Sequence, residues 1–232
     1  MTENTEKKEV ILANDTLPAD LAGMFDLNEN FESVNLVIPS IRILHQANMF
    51  EMPDGEKVSD FEGLIIKKKM NNAYWNDSFE ESGGNEFPDC FSKDGVYPDP
   101  RVEHPKHRNC AQCPMNAFGS GEGGKGKACK NTRVLYILVN DNVIPYRLTL
   151  SPMNMKPFDM YITVLTNKGI YYQIAMTKFS LATAKNKDGI GYSGINFKNT
   201  GLEIEKARQV KEMIDRWTPV IDSQTVNNYE EE

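Results

Sequence analysis

The chain has 232 residues, 26 of them basic and 33 acidic, for a net charge of −7, with 40% hydrophobic and 25% charged residues. That balance is ordinary for a globular protein and argues against a uniformly basic, histone-like nucleic-acid binder. The length suits one domain with an insertion or with tails. No apolar run is long enough to cross a bilayer, and Met1 to Asn14 is charged without an apolar core, so the expected location is the cytoplasm. Four cysteines in a reducing compartment point to metal more readily than to disulfides.

In chain order, Met1 to about Pro18 is polar and is expected to be a disordered arm. Leu21, Met24, Phe25 and Leu27 then recur at loose helical spacing between Ala19 and Phe31. Leu36 to Leu44 reads as a strand in which Pro39 marks an edge or a bulge. Pro53, Asp54 and Gly55 make a turn, and Phe61 to Lys69 reads as a second strand. From about Asn76 to Lys130 the residues Gly, Pro, Asp and Cys dominate and apolar periodicity disappears. A structureless loop of that length is implausible inside a compact domain, so a metal-organised subdomain is expected at about 76–132.

Arg133 to Asn140 and Ile144 to Leu150 form a hairpin around Asn140, Asp141 and Asn142. Ser151-Pro152 opens a helix that carries Met155, Phe158, Tyr161, Ile162 and Leu165, and Gly169 stops it. Strands at Ile170 to Leu181 and Tyr192 to Phe197 follow, then an amphipathic helix from Leu202 to Trp217. The domain is expected to span residues 19–220. Ile221 to Glu232 is a tail with four acidic residues and no basic one. The order predicts a mainly β fold with few helices, an OB-like Greek-key barrel with a zinc-binding insertion and a C-terminal helix. SH3-like barrels and a split α+β sheet come next.

The cysteines are spaced Cys90-x19-Cys110-x2-Cys113-x15-Cys129. A Cys-x2-Cys knuckle lets two thiolates reach one ion from a tight turn, and one cysteine on either side completes a tetrahedron around a single structural Zn2+. His104 or His107 is an alternative ligand, Cys90 being the most distant of the four; otherwise each histidine sits on the surface or meets phosphate. His45 is read as a structural residue in its strand. Four protein ligands leave no open position for water, and the carboxylates form no paired motif, so no catalytic residue is assigned and the chain is expected not to be an enzyme.

Gly119 to Lys125 matches the first part of a phosphate-binding P-loop, but Gly126 stands where Ser or Thr is needed, no strand precedes the run and no helix follows. The basic residues there carry more information. Between Arg101 and Arg133 stand Arg101, Lys106, Arg108, Lys125, Lys127, Lys130 and Arg133 against Glu103 and Glu122, so this segment is +5 within a chain of −7. Lys67, Lys68 and Lys69 form a second cluster, with Tyr74 and Trp75 shortly after. Basic residues interleaved with aromatics suit single-stranded nucleic acid, whose bases stack on rings while its phosphates meet cations. The candidate contacts are these three lysines with Tyr74, Trp75, Arg108, Phe118, Lys125, Lys127, Lys130 and Arg133. Phe79, Phe91, Tyr136 and Tyr146 are further aromatics, the two tyrosines being as well placed for the core. The acidic tail either covers the basic surface until nucleic acid displaces it or serves only as a solubilising end.

The run CAQCPMNAFGS from Cys110, the GKGKAC that ends at Cys129, and IPYRLTLSPMNMKPFDMY from Ile144 together resemble the single-stranded DNA-binding proteins of tailed bacteriophages and related mobile elements. The resemblance covers roughly residues 35 to 200. It implies an OB fold with a zinc-bearing insertion and the four cysteines as zinc ligands. It also implies sequence-independent protection of single-stranded DNA during phage DNA replication or recombination in a bacterial host cell. An acidic tail in contact with replication or recombination enzymes is the implied partner surface; here Tyr229 is followed by three glutamates, where an aromatic commonly stands nearer the end. A zinc-containing protein-interaction adaptor and a metal-dependent nuclease are the alternative readings.

Overall fold

The computed structural model describes residues 37–76, 87–140, 142–185, 189 and 191–223. The expected N-terminal arm, the helix of Ala19 to Phe31, Phe79 and the tail beyond Ser223 lie outside the described residues. Nine strands are present among them: β1 (Ser40–Leu44), β2 (Met49–Glu51), β3 (Lys57–Val58), β4 (Asp60–Tyr74), β5 (Cys90–Ser92), β6 (Lys130–Leu138), β7 (Tyr146–Leu150), β8 (Ala175–Lys185) and β9 (Gly191–Leu202). Two α-helices accompany them, α1 (Pro152–Asn167) and α2 (Ala207–Ser223). The fold is mainly β.

The strands form one curled sheet in the order β3-β2-β1-β7-β6-β4-β8-β9, with β5 also on β4. Every pairing is antiparallel except β1 with β7. The 15-residue β4 is its spine. Asp60 to Gly63 pair with β8, and Leu64 to Ala73 pair with β6 across a register shift between Ile65 and Lys67. The bend is possible because residue 63 has no side chain: a Cβ there would stand 2.5 Å from Ile137 Cγ2 and 2.7 Å from the Leu138 carbonyl oxygen.

The core lies inside the curl. Phe50, Phe61, Phe179, Phe197 and Phe158 form a chain of rings, with Phe61 stacked on Phe179 at 4.6 Å and the other pairs meeting edge to face. Ile65, Leu135, Ile137, Leu148 and Leu150 complete it from the strands. Helix α1 closes one face by burying Asn154, Phe158, Tyr161 and Leu165, one helical stripe. Asn154 binds it to β9, accepting the Ile195 N–H at 2.9 Å and donating to the Ser193 carbonyl at 3.3 Å. The helix ends as its sequence foretells. Gly169 at φ +69° donates to the Thr166 carbonyl and Ile170 to that of Leu165, which turns the chain back toward the sheet.

Several boundaries differ from the sequence reading. Pro39 stands just before β1, and its carbonyl accepts the Arg147 N–H at 2.8 Å. His45 is in the turn after β1, not in a strand. β8 starts at Ala175 because Tyr172–Ile174 coil into a 3₁₀ turn first. The last helix starts later than expected, at Ala207, because Leu202 is held in the β9 ladder opposite Ala175. That helix then continues through Pro219 to Ser223, so Ile221 and Asp222 belong to its last turn and not to a free tail.

Candidate metal centre and basic surface

The segment between β4 and β6 is tied to the end of the sheet. β5 pairs with β4, which sets Cys90 opposite Tyr74 and Phe91 opposite Ala73. Cys110 opens a 3₁₀ turn whose Ala111 N–H is accepted by the Asn109 side chain at 2.8 Å. Cys113 heads a second turn, Pro114–Asn116, so the Cys-x2-Cys pair is carried on two consecutive tight turns. Cys129 stands immediately before β6, its N–H donating to the Met115 carbonyl at 2.8 Å. The Asn116 side chain donates to the Cys110 carbonyl at 2.7 Å and accepts from Lys127 Nζ at 3.0 Å, and Lys127 also reaches the Asn131 side chain at 2.9 Å. The glycine run closes on itself, with Gly119 N–H donating to the Gly126 carbonyl. A Cβ at Gly121 would stand 2.1 Å from the Lys125 carbonyl oxygen. It is a folded loop within this segment, flanked by neither the strand nor the helix of a nucleotide site.

All four cysteines are free thiols and line one small cavity with Asn72, Tyr74, His107 and Met115. Burial pushes the Cys90 thiol up and the charges of Cys110 and Cys113 add to it, opposed by a hydrogen bond from the Lys106 amide. Cys129 is pushed up to about 12, by burial first and then by Cys110, Cys113 and Cys90. Cys90 and Cys129 thus both lie within electrostatic reach of the Cys110–Cys113 pair. A soft divalent ion is what such a donor set fits. Among the described residues no group of three or more His, Cys, Asp or Glu side chains is arranged so that it could hold a metal ion. His107 lies on the cavity wall with its Nδ1 engaged by the Asn109 backbone, whereas His104 is exposed.

The expected nucleic-acid residues divide into groups. Lys130 Nζ sits 5.0 Å from the centre of the Trp75 ring and Lys106 Nζ 5.4 Å from that of Tyr74, so both aromatics at the end of β4 have a cation over them. Arg108, Lys125 and Lys127 are exposed on the insertion, and Phe118 is 85% exposed between them in sequence. Arg133 faces elsewhere, ion-paired with Asp159 of α1 and lying over Phe158. The run Lys67 to Lys69 is not one patch, because successive strand residues point to opposite faces. Lys67 and Lys69 share a face and both pair with Asp222 of α2, while Lys68 lies 5.6 Å from the Tyr172 ring. Phe91 is buried at 3% exposure beneath Arg101 and against Phe87, and Tyr136 is buried in β6. These two serve packing, and Tyr146 packs against the core.

Sequence reasoning had not singled out Asp99. It is 8% exposed, its carboxylate takes both Arg101 Nε at 2.8 Å and Arg101 Nη2 at 3.2 Å, and it folds the insertion onto Phe91 through its own N–H. No protein-family model, no curated protein and no solved structure matches this chain. Among the described residues no helix is long and apolar enough to cross a membrane.

Proposed function

We propose that the protein binds single-stranded DNA without sequence preference, in phage-type DNA replication or recombination, and that it is a binding protein rather than an enzyme. In this reading one structural zinc ion, held by Cys90, Cys110, Cys113 and Cys129, organises the insertion. The observation that carries the reading is the pairing of exposed cations with aromatic rings at one end of the sheet. Lys130 lies over Trp75, Lys106 over Tyr74, and Phe118, Arg108 and Lys125 are exposed on the neighbouring insertion. Bases would stack on the rings at ~1–3 kcal/mol each while the cations meet phosphates. The curled sheet, its one parallel pair and the helix that follows β7 are consistent with an OB-like barrel.

The test is a titration of a labelled oligo-dT strand and of a duplex of equal length. Preferential binding of the single strand supports the proposal, and equal or absent binding contradicts it. One observation favours a second reading, a zinc-containing adaptor for proteins: Val96, Tyr97 and Phe118 expose apolar surface on the insertion, at 44%, 60% and 85%. Such an adaptor would be indifferent to the oligonucleotide.

A further inference from the structure

The pair of lysines on β4 and the end of α2 meet in an unusual way. Lys67 Nζ lies 2.7 Å from Asp222 Oδ2 and Lys69 Nζ 3.3 Å from Asp222 Oδ1, so each carboxylate oxygen serves a different lysine. Lys69 also donates to the Ile221 carbonyl at 3.4 Å. The cations are the enclosed partners, with 21% and 15% of their side chains exposed, whereas Asp222 is 52% exposed. Across the strands the same face continues from Lys67 to Tyr136 and on to Arg147, which are register partners in β4, β6 and β7. A carboxylate bridging two ammonium groups through its two oxygens presents what a phosphodiester presents through its two non-bridging oxygens.

We infer that Lys67 and Lys69 form a binding site for a nucleic-acid phosphate, and that Asp222 occupies this site in the free protein until a phosphate replaces it. The inference rests on the nucleic-acid reading above. Opening the site does not require α2 to leave the sheet. Val210, Trp217 and Ile221 are its buried anchors, and the Trp217 indole N–H donates to the Val143 carbonyl at 2.9 Å. Asp222 is one residue from the end of the helix, and a rotation of its exposed side chain frees both lysines. The exchange swaps one anion for another on the same two cations, so it is cheap in electrostatic terms. It makes affinity depend on competition within the chain.

The experiment uses the full chain and an oligo-dT strand at low and at high salt. Asp222→Asn should bind about fivefold more tightly than the wild type at low salt, with the advantage shrinking as salt screens the carboxylate. In a Lys67→Met/Lys69→Met background the same substitution should change nothing, because the site it uncovers is gone. Asp222→Glu should keep wild-type behaviour, and melting curves identify any variant that is not folded. Should Asp222→Asn misfold, the decisive comparison is Lys67→Met/Lys69→Met alone, which should bind more weakly than the wild type; equal binding overturns the inference. Wild-type binding by a folded Asp222→Asn overturns it too and leaves the nucleic-acid reading standing. An equal gain in the double-methionine background also overturns it, since the effect is then one of net charge. If neither wild type nor variant binds the strand, the nucleic-acid reading falls and this inference falls with it.

Discussion

Replacing Cys129 with serine tests how the insertion is held. The side chain is 8% exposed, and its thiol is pushed from the ordinary 9.0 to about 12 by burial and by the three neighbouring cysteines. That displacement corresponds to about 4 kcal/mol against carrying a thiolate there with no cation. A structural zinc ion at these cysteines would bring roughly 10–16 kcal/mol of binding free energy, more than that cost. The buried apolar side chains from residue 87 to 130 are few, Pro88 and Phe91 with Cys110 and Cys129. Their burial alone does not offset the backbone entropy of ordering the segment. With one of the four proposed ligands gone, zinc content should drop well below one ion per chain. Limited proteolysis should then cut between residues 93 and 129 while the sheet, whose core lies elsewhere, stays protected. The assays are metal analysis of the purified protein, a proteolysis time course and a melting curve. Full zinc content with an unchanged cleavage pattern in Cys129→Ser would refute the reasoning.

Arg108→Glu with Lys125→Glu should weaken oligo-dT binding and flatten its salt dependence, each lost phosphate contact removing about 0.7 from the log–log slope; an unaltered slope would place the surface elsewhere. Trp75→Ala should weaken binding by ~1–3 kcal/mol and leave that slope unchanged, because stacking releases no counterions. Asn154→Ala should cost ~2–4 kcal/mol in urea unfolding, since the buried Ile195 N–H and Ser193 carbonyl both lose their partner; a loss below about 0.5 kcal/mol would mean the contact is dispensable. The Arg101 hydrogen bonds hold the Asp99 carboxyl below the ordinary carboxylate range against the opposing effect of burial, with further help from the Arg101 amide and charge and from Lys93. A lowered folded-state value stabilises the protein above the unfolded value near 4, and that contribution is lost as pH falls through the folded one. Asp99→Asn should therefore lower stability at neutral pH and make the acid limb of a stability–pH curve shallower, which melting temperatures from pH 7 to 3 would show.

What the sequence could and could not reveal follows from the range of the interactions involved. The β6–β7 hairpin and α1 were legible because their signals are local: alternation around Asn140 to Asn142, Ser151-Pro152 at the helix start, and Gly169 at its end. The tight turns that carry Cys110 and Cys113 were legible for the same reason. The lysine run misled because three like residues in a row look like one patch until the strand period separates Lys68 from its neighbours. The same period is the signal that could have pointed to an acidic partner for Lys67 and Lys69. Asp222 itself, 155 residues from Lys67, carries no local mark of that role. Phe91 sits in a polar stretch, and its burial depends on β5 pairing with β4, which no periodicity announces. The late start of α2 reflects tertiary pairing, because β9 claims Leu202 before the helix can.

The central claim is tested most directly by the salt dependence of single-strand binding, followed by the fluorescence of Trp75 with the buried Trp217 as background. Oligo-dT should bind and quench this emission at low salt, duplex DNA of equal length should bind more weakly, and rising salt should loosen the single strand along a linear log–log slope. Absence of oligo-dT binding at low salt, or equal affinity for duplex and single strand, would contradict the account.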